Sequence, residues 1–358
     1  MTHASTVLIL GARGRFGRAA AQAFAVAGWH VLAQRRSPDV AAGSPGHPAI
    51  RWIDVNMQDT AALTVQAQRA SVVVHAMNPP YTAAAWRAEA PAQMRSAIAI
   101  GRALGALLMF PGNVYNFGAG MPAVLREDTP QRPSDGKGQV RVALERQLMD
   151  AANADAADLQ DAATQAPGLQ DAAAQASGLR SVVIRAGDFF GSGTGSLFDR
   201  VLVPKLVKGR MGFPASLQTR TAWAYLPDLA RTFVQVARQA PALQGAATLH
   251  FRGHDLTGQD WLDALTQIAR EQGWLAPGAS LAFDAMPWTL IRAVGLLVPT
   301  CASLAETRYV WNTPHTLDNA RLQALIGDEP HTPLLQAARQ GLTDLGLIAA
   351  APAVMRTA

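Results

Sequence analysis

A glycine-rich turn directly after the first apolar strand constrains this chain more than any other feature. Gly11, Gly14 and Gly17 follow the β-rich run Thr6–Leu10 and open a helical run that continues from Arg18. Glycines at this spacing let the chain turn tightly, let backbone amides approach a pyrophosphate, and let the helix lie close to the strand. A diphosphate would then sit at the positive N-terminus of the helix. The pattern predicts a dinucleotide-binding unit, with a purely structural turn as the alternative.

Short apolar runs alternate with helix-compatible stretches over the first half of the chain. Such alternation predicts an α/β fold in which helices cover both faces of a parallel sheet. Val7–Leu10 and Val72–Val74 lack the two-residue alternation of a half-exposed strand, so we expect them to be central strands. The predicted strands are Thr6–Leu10, His30–Ala33, Ile50–Ile53, Ser71–His75, Leu107–Phe110 and Ser181–Arg185.

The end of the second predicted strand indicates which nicotinamide cofactor would bind. A carboxylate there would bond the ribose 2′-hydroxyl of NAD, whereas arginine suits a 2′-phosphate. This chain has Gln34, Arg35 and Arg36 at that position, with Arg13 in the glycine turn. Guanidinium groups without a nearby acid predict NADP(H), with NAD less favoured. Solvated surface arginines are the alternative.

Several later segments form an ordered series with this turn. They are Asp54-Val55, His75-Ala-Met-Asn78, Phe110-Pro-Gly-Asn-Val-Tyr-Asn-Phe-Gly118, Arg185-Ala-Gly-Asp-Phe-Phe-Gly191 and Trp223-Ala-Tyr-Leu-Pro-Asp-Leu-Ala230. Over about residues 6–250 the chain resembles the extended or atypical short-chain dehydrogenase/reductases, the NAD-dependent epimerase/dehydratase family. The resemblance and the residues together predict these cofactor-binding residues: Gly11, Arg13, Gly14, Arg15, Phe16, Gly17, Arg35, Arg36, Asp54, Val55, Ala76, Met77 and Asn78.

The resemblance also implies how the chain is divided. Residues 1–185 would form a Rossmann-type, doubly wound domain, and residues 186–358 would mostly form a smaller C-terminal substrate lobe. Residues 221–252 would return to the Rossmann core, with Trp223–Ala237 as a helix. The Ala- and Gln-rich segment 151–178, which contains a tandem ten-residue duplication, is predicted to be an exposed inserted loop.

The catalytic positions depart from the family pattern. The family's Tyr-x-x-x-Lys pair, in which lysine lowers the tyrosine pKa, falls on Lys137 and Arg141, and its Ser or Thr falls near Asn113. In one interpretation Lys137 donates the proton, its pKa depressed by Arg141, while Asn113 holds the substrate oxygen. In the other, the proton machinery is lost and Arg141 pairs with Glu145 on a solvated helix face.

Other polar residues near the expected cleft are further candidates. Tyr115 and Tyr81 could replace the missing acid, although each could equally be a packed phenol. Asp188 could orient a substrate hydroxyl or act as a turn residue. We expect Tyr81, Asp188 and Phe189 to contact substrate, and the apolar neighbours favour a partly hydrophobic one. Histidine spacing predicts no metal site.

Composition narrows the classes of partner and compartment. Apolar residues make up 49% of the chain and charged residues 16%, which is typical of a globular protein. A net charge of +5 does not provide a cationic face for nucleic acid. Cys301 is the only cysteine, which excludes an intrachain disulfide and fits a reducing compartment, so we expect a cytoplasmic protein.

The sequence predicts no membrane partner. Val7–Leu10 is too short for the apolar region of a signal peptide. Ala285–Ala302 is the most membrane-like stretch, but two prolines, an arginine and a glycine interrupt it and its helical part is too short for a span. A homodimer is compatible with the sequence.

Two function classes therefore remain open. One is an NADP(H)-dependent oxidoreductase or epimerase that acts on a carbinol or carbonyl carbon of a small organic substrate with an altered catalytic set. The other is a non-catalytic NADP(H)-sensing protein of the same fold.

Overall fold

The computed structural model describes residues 5–36, 47–165 and 178–349. Its strands are β1 (Thr6–Leu10), β2 (His30–Arg35), β3 (Ile50–Asp54), β4 (Ala70–His75), β5 (Leu107–Asn113), β6 (Val124–Leu125), β7 (Arg180–Ala186), β8 (Asp188–Phe190), β9 (Arg210–Phe213), β10 (Thr221–Tyr225), β11 (Ala246–His250), β12 (His254–Leu256), β13 (Ala282–Ala285) and β14 (Thr316–Leu317). The helices are α1 (Arg15–Val26), α2 (Thr60–Gln66), α3 (Ala83–Leu104), α4 (Gly136–Gln165), α5 (Leu226–Arg238), α6 (Gly258–Glu271), α7 (Trp288–Gly295), α8 (Pro299–Glu306), α9 (Tyr309–Asn312), α10 (Ala320–Ile326) and α11 (Leu334–Asp344).

Seven parallel strands form the central sheet in the order β3-β2-β1-β4-β5-β7-β11. All six strands predicted from the sequence are in this sheet, and the doubly wound α/β fold class is confirmed. The chain moves outward from β1 to β3 and then crosses back to β4, so the order reverses between β1 and β4. A crevice opens at the carboxyl ends of the strands at such a reversal.

Helices cover both faces of the sheet. Val7 and Ile9 of β1 belong to the core on one face with Phe24 of α1 and Phe233 of α5. Leu8 and Leu10 belong to the core on the other face, which α3 and α4 complete. Because all four β1 side chains are fully buried, the strand is hydrophobic throughout rather than alternating, as the sequence predicted.

A second core lies beyond the carboxyl ends of the strands. It combines the small sheets β12-β10-β8, β13-β9 and β14-β6 with helices α6 to α9 and α11. Its centre is aromatic: the ring centroids of Phe190 and Trp261 are 5.0 Å apart, and those of Trp223 and Trp261 are 5.2 Å apart. The proposed division of the chain at residue 185 stays a prediction.

The predicted helix Trp223–Ala237 starts too early. Trp223 to Tyr225 lie in β10, which pairs with β8 and β12, and α5 begins only at Leu226. Pro227 in the first turn of α5 explains the late start, since proline is favoured there. After α5 the chain enters β11, which is one of the two edge strands of the central sheet.

The segment 151–178 is not wholly a loop. α4 continues to Gln165, because alanine and glutamine are good helix formers. Asp155 in this extension accepts hydrogen bonds from Arg102 and from the Leu179 amide, at 2.9 Å each. Residues 166–177 lie outside the described residues, as does much of the duplication.

The apolar stretch Ala285–Ala302 comprises the last residue of β13, then α7, a turn and the first half of α8. Among the described residues, no helix is both long enough and apolar enough to cross a membrane.

Candidate functional site

The three glycines of the turn have different roles. Gly11 has a φ of +74°, and a Cβ there would lie 2.7 Å from Met77 Cγ. A Cβ on Gly17 would lie 2.4 Å from the Gly11 carbonyl oxygen, so both positions require glycine for packing. A Cβ on Gly14 would lie 3.3 Å from its nearest atom, the Gly11 carbonyl oxygen, which is a close contact but not a clash. Packing demands glycine least at Gly14, where a ligand would approach the backbone.

The N-terminus of α1 is prepared for an anion. Gly14 is its N-cap, no side chain caps it, and its first turn contains no acidic residue. The first amides of a helix have no partner within the helix and carry partial positive charge. The helix start therefore offers backbone donors to a phosphate.

A cleft of about 730 Å³ extends from this turn across the carboxyl ends of the strands. It brings together most of the predicted site residues: Gly11, Arg13, Gly14, Arg15, Phe16, Arg35, Arg36, Ala76, Met77, Asn78, Tyr81, Asn113, Tyr115, Arg141 and Phe189. The sequence analysis missed several polar or aromatic lining residues, namely Gln34, Asn56, Gln58, Trp86, Glu89, Gln93 and Ser96. The α3 residues among them carry no recognisable motif, so only the packing of α3 beside β4 and β5 places them.

Gln34 holds the glycine turn in position. Its Oε1 accepts a hydrogen bond from the Gly11 amide at 3.0 Å, and its Nε2 donates to the Val55 carbonyl oxygen at 2.7 Å. The side chain is buried. Its place at the end of β2 was visible in the sequence, but its inward direction was not.

Asp54 and Val55 do not line the cleft, and their predicted contact with the cofactor stays a prediction. The Asp54 carboxylate pairs with Arg35, whose hydrogen bond lowers the pKa of Asp54. Arg35 also lies 5.0 Å from the ring centroid of Trp52. Because β2 and β3 are adjacent parallel strands, Asp54 is level with Arg35 and fixes its direction.

A second pocket of about 260 Å³ adjoins the cleft. Its walls come from β8, the segment 196–201, α8 and α9, and they include Asp188, Leu197, Val201, Leu304 and Val310. The two cavities share the walls formed by Arg15, Tyr81, Asn113, Tyr115 and Phe189.

Asp188 lines the second pocket, not the cleft. Its carboxylate accepts a hydrogen bond from Trp311 Nε1 at 2.8 Å. Burial raises the pKa of Asp188, although the bond from Trp311 opposes the shift. The carboxylate therefore lies at the pocket wall with one donor already in place.

Two phenols meet at the junction of the cavities. The hydroxyl oxygens of Tyr81 and Tyr115 are 3.0 Å apart. Burial raises the pKa of Tyr81 above its ordinary value, and it raises the pKa of Tyr115 further. Both phenols are therefore protonated at neutral pH and can donate a proton.

Lys137 lies behind this pair and lines neither cavity. Its side chain is fully buried, its Nζ donates to the Ser303 carbonyl oxygen at 3.1 Å, and the Nζ lies 3.5 Å from the ring centroid of Tyr81. Burial lowers the pKa of Lys137 to about 8, while Asp135 and Glu306 oppose the shift. The predicted depression is present, but its cause is desolvation rather than the charge of Arg141.

Arg141 does line the cleft, and the predicted solvated pairing with Glu145 is wrong. Only 7% of Arg141 is exposed, its Nη1 donates to the Pro111 carbonyl oxygen at 3.0 Å, and its guanidinium lies 4.8 Å from the Trp86 ring centroid. Glu145 is buried and instead pairs with Arg185 at 2.8 Å. Helix spacing alone could not show that α4 packs this face against the sheet.

Asn113 shapes the turn that presents Tyr115. Its Oδ1 accepts a hydrogen bond from the Tyr115 amide at 3.1 Å and caps a short 3₁₀ turn over Val114–Phe117. The Tyr115 carbonyl oxygen accepts a further bond from the Tyr309 hydroxyl at 3.2 Å. Asn113 is thus a wall residue of both cavities that also positions a phenol.

Arg15 links the glycine turn to β8 and the residue that follows it. Its guanidinium donates to the Phe189 carbonyl oxygen at 3.2 Å and to the Gly191 carbonyl oxygen at 3.2 and 3.3 Å. Neighbouring Arg18 donates to the Ser192 carbonyl oxygen at 3.4 Å. Within the described ranges, no group of three or more His, Cys, Asp or Glu side chains could hold a metal ion.

Solved structures share this fold over nearly their whole length. The UDP-glucose 4-epimerase from Brucella ovis, in complex with NAD, is 16% identical with a TM-score of 0.67, covering 96% of this chain and 99% of that one. The Bordetella bronchiseptica enzyme WbmH, in complex with NAD⁺, is 17% identical with a TM-score of 0.61, covering 96% and 98%. The UDP-glucose 4-epimerase from Thermotoga maritima, with UDP-glucose, is 13% identical with a TM-score of 0.61, covering 95% and 98%.

These structures confirm the family resemblance at the level of fold: the chain has the Rossmann-type fold of the NAD-dependent epimerases. No known family profile matches the sequence. No curated protein matches it either.

Proposed function

We propose that the protein is an NADP(H)-dependent oxidoreductase that reduces a carbonyl carbon of a small, partly apolar organic substrate. The observation that carries this proposal is the junction of the two cavities. The cleft that fits a dinucleotide and the smaller pocket meet at two protonated phenols, Tyr81 and Tyr115. Reduction of a carbonyl needs a hydride at carbon and a proton at oxygen, and such a junction can bring both together.

A nicotinamide dinucleotide fits the larger cleft. Gly14 leaves backbone space at the turn, and the uncapped N-terminus of α1 offers amides to the diphosphate. The bound cofactor would supply the hydride. Several solved structures of the same fold contain NAD, which supports this class of ligand.

The charge of the cleft favours NADP(H) over NAD. Arg13, Arg15, Arg35, Arg36 and Arg141 line it, whereas Glu89 is the only acidic residue among its described lining residues. The end of β2 presents Arg35 and Arg36 to the cleft, while Gln34 turns inward. Asp54 already pairs with Arg35, so an additional phosphate would gain mainly from Arg36 and the remaining guanidinium groups, whereas a free ribose hydroxyl would find no carboxylate on β2.

The phenol pair takes the part that the resemblance assigned to residue 137. A proton leaving one phenol can be replaced through the hydrogen bond from the other, and the buried Lys137 ammonium faces the Tyr81 ring. The ammonium electrostatically favours the phenolate that remains after proton donation. In this scheme Lys137 is a positioning residue and Tyr115 or Tyr81 is the acid.

The size of the second pocket limits the substrate. Its volume of about 260 Å³ lies at the lower end of known ligand sites, and Val114, Leu197, Val201, Leu304 and Val310 make much of its wall apolar. A compact aldehyde or ketone with an apolar group suits it better than a nucleotide sugar. Cys301, in the same wall, is the only cysteine and supports a reducing, cytoplasmic compartment.

The cofactor is tested by titrating the protein with NADPH and NADH while following quenching of tryptophan fluorescence, since Trp86 lines the cleft. Tight NADPH binding with at least tenfold weaker NADH binding is expected. Equal binding of the two would remove the NADP(H) preference, and binding of neither would remove the proposal. Oxidation of NADPH is then measured with apolar aldehydes and ketones.

A non-catalytic NADP(H)-sensing role is the second candidate, because the family's tyrosine and lysine positions hold Lys137 and Arg141. A sensor would bind NADPH tightly and oxidise it with none of the carbonyl compounds. It would also bind a partner whose affinity depends on the cofactor's redox state.

A further inference from the structure

The turn between α7 and α8 carries an unusual concentration of exposed apolar side chains. Of the ten large apolar residues that are exposed among those described, five lie in this short region. Leu296 is 87% exposed and Leu297 is 89% exposed, so both project from the surface. The full set is Leu290, Val294, Leu296, Leu297 and Val298, which we call the α7–α8 tip.

The tip is separate from the core-facing side of the hairpin. Leu290 and Val294 are one helical turn apart and share one face of α7, and Leu297 follows in the turn after the helix. Trp288 lies on the buried side, where its Nε1 donates to the Pro214 carbonyl oxygen at 2.8 Å. The two helices pack closely, since a Cβ on Gly295 would lie 2.9 Å from the Ala302 amide nitrogen. The outward apolar face is therefore held on a well-packed hairpin.

The charge closest to the tip is positive. No aspartate or glutamate occurs from Ala285 to Ala305, and Glu306 lies at the end of α8 away from the tip. Arg292 is exposed on α7, and the Arg308 guanidinium lies 5.0 Å from the Trp288 ring centroid at the base of the hairpin. At the base Glu306 offsets Arg308, so Arg292 is the charge that flanks the tip, and an apolar tip beside an exposed arginine complements the acyl chains and anionic headgroups of a membrane surface.

We propose that the α7–α8 tip inserts into the surface of an anionic membrane and anchors the protein there peripherally. A second copy of the chain fits the feature less well. A standard protein interface covers roughly 800 Å² on each partner, whereas this feature is a projecting turn with five apolar side chains. The proposal departs from the sequence-based expectation of no membrane partner, which considered only a span.

Attachment would bring the second pocket close to the bilayer. Thr300, Cys301 and Leu304 of α8 line that pocket and follow the tip directly in the chain. A partly apolar substrate could then pass from the membrane surface into the pocket. This consequence rests on the proposed function, whereas the membrane anchor itself does not.

The test is co-sedimentation of the full-length protein with vesicles of phosphatidylcholine alone or mixed with phosphatidylglycerol. Wild-type protein should bind the mixed vesicles more tightly. Leu296→Asp/Leu297→Asp should weaken that binding at least about tenfold, because it replaces two insertable side chains with charges. The matched control is Val26→Asp/Val65→Asp, which makes the same charge change at residues that are 70% and 69% exposed outside the hairpin. It should bind as wild type does.

Three results would overturn the proposal, provided that circular dichroism shows all variants folded. The first is wild-type protein that binds neither vesicle, and the second is equal binding by Leu296→Asp/Leu297→Asp and wild type. The third is a wild-type dimer that this double variant dissociates without any vesicle binding, which would assign the tip to a second copy. Each of these results is independent of cofactor binding, so it is distinguishable from failure of the proposed function.

Discussion

The two cavities of this protein are built in different ways. The dinucleotide cleft depends on backbone: one turn, one uncapped helix start and the reversal of strand order between β1 and β4. The second pocket depends on side chains from segments far apart in the chain, including Asn113, Asp188, Leu304 and Trp311. A backbone site constrains the cofactor class but leaves the chemistry open, because the two phenols proposed to react lie where the cavities meet.

The strongest way to separate the two cavities is Tyr115→Phe. Turnover of the best carbonyl substrate should fall about 100-fold or more, because general acid catalysis contributes that much. NADPH affinity should change less than about threefold, since the phenol is at the junction and the dinucleotide is held by the turn. Steady-state kinetics and fluorescence titration measure the two quantities. Equal losses in both would show that the cavities are not functionally separate.

Tyr81→Phe is the companion variant because it keeps the ring that faces Lys137 and removes the partner hydroxyl. A smaller fall than for Tyr115→Phe would identify Tyr115 as the proton donor, and the reverse order would identify Tyr81.

Lys137→Met tests the buried wall behind the second pocket. Burial lowers the pKa of Lys137 from its ordinary 10.5 to about 8, so the charged lysine opposes folding below pH 8. This penalty is lost as the pH rises from about 8 to 10.5. Lys137→Met should therefore be more stable than wild type at pH 7, on the order of 1–3 kcal/mol, with a gain that shrinks over that interval.

Urea unfolding at several pH values measures this gain. The control is Arg146→Met, an exposed position on the same helix, for which a change within about 0.5 kcal/mol and no such pH trend are expected. A loss of stability in Lys137→Met at pH 7 that shrinks as the pH rises would show that the ammonium's contact with Tyr81 outweighs its desolvation.

Gly14→Ala probes the backbone cavity alone. The added methyl meets no protein atom closer than 3.3 Å, so the free energy of unfolding should change by less than about 1 kcal/mol. NADPH affinity should fall at least tenfold, because the methyl occupies the space where backbone and diphosphate approach. Gly17→Ala reverses the balance: its Cβ would lie 2.4 Å from the Gly11 carbonyl oxygen, and overpacking of this kind costs about 1–3 kcal/mol of stability. Unchanged NADPH binding in Gly14→Ala would contradict the placement of the diphosphate.

Arg36→Ala should have the smallest effect. The preference for NADPH over NADH should fall about fivefold, with NADH affinity nearly unchanged, because a charge-assisted contact to phosphate contributes about 1 kcal/mol at an exposed position. Arg51→Ala is the control, since Arg51 is exposed on β3 and lies outside the cleft. A preference that stays the same would transfer the selectivity to Arg13 and Arg35.

The sequence predicted the central sheet and the glycine turn well, and the reason is physical. Buried parallel strands such as Val7–Leu10 are continuous apolar runs, and the glycines of a nucleotide turn are close in the chain. Local patterns of this kind survive without knowledge of tertiary contacts. The predicted helix Trp223–Ala237 was wrong at its start, because a strand and a helix adjoin there without an intervening loop.

For the sites built from side chains, the sequence identified candidate residues one at a time but not the contacts between them. Tyr81 and Tyr115 were each recognised as candidates, but their pairing joins residues 34 positions apart. The burial of Lys137 depends on Ser303, which is 166 positions away. The sequence also gave no sign that Glu145 would leave Arg141 for Arg185, because that contact requires α4 to pack on β7.

The guanidinium of Arg15 should couple ligand binding in one cavity to ligand binding in the other. It joins the turn that would hold the cofactor to Phe189 and Gly191, and Phe189 is a wall of both cavities. A ligand that orders one end of this link lessens the entropy cost of ordering the other, so cofactor and substrate should each raise the other's affinity by the same factor. Because this coupling is symmetric, the same factor applies whichever of the two ligands binds first.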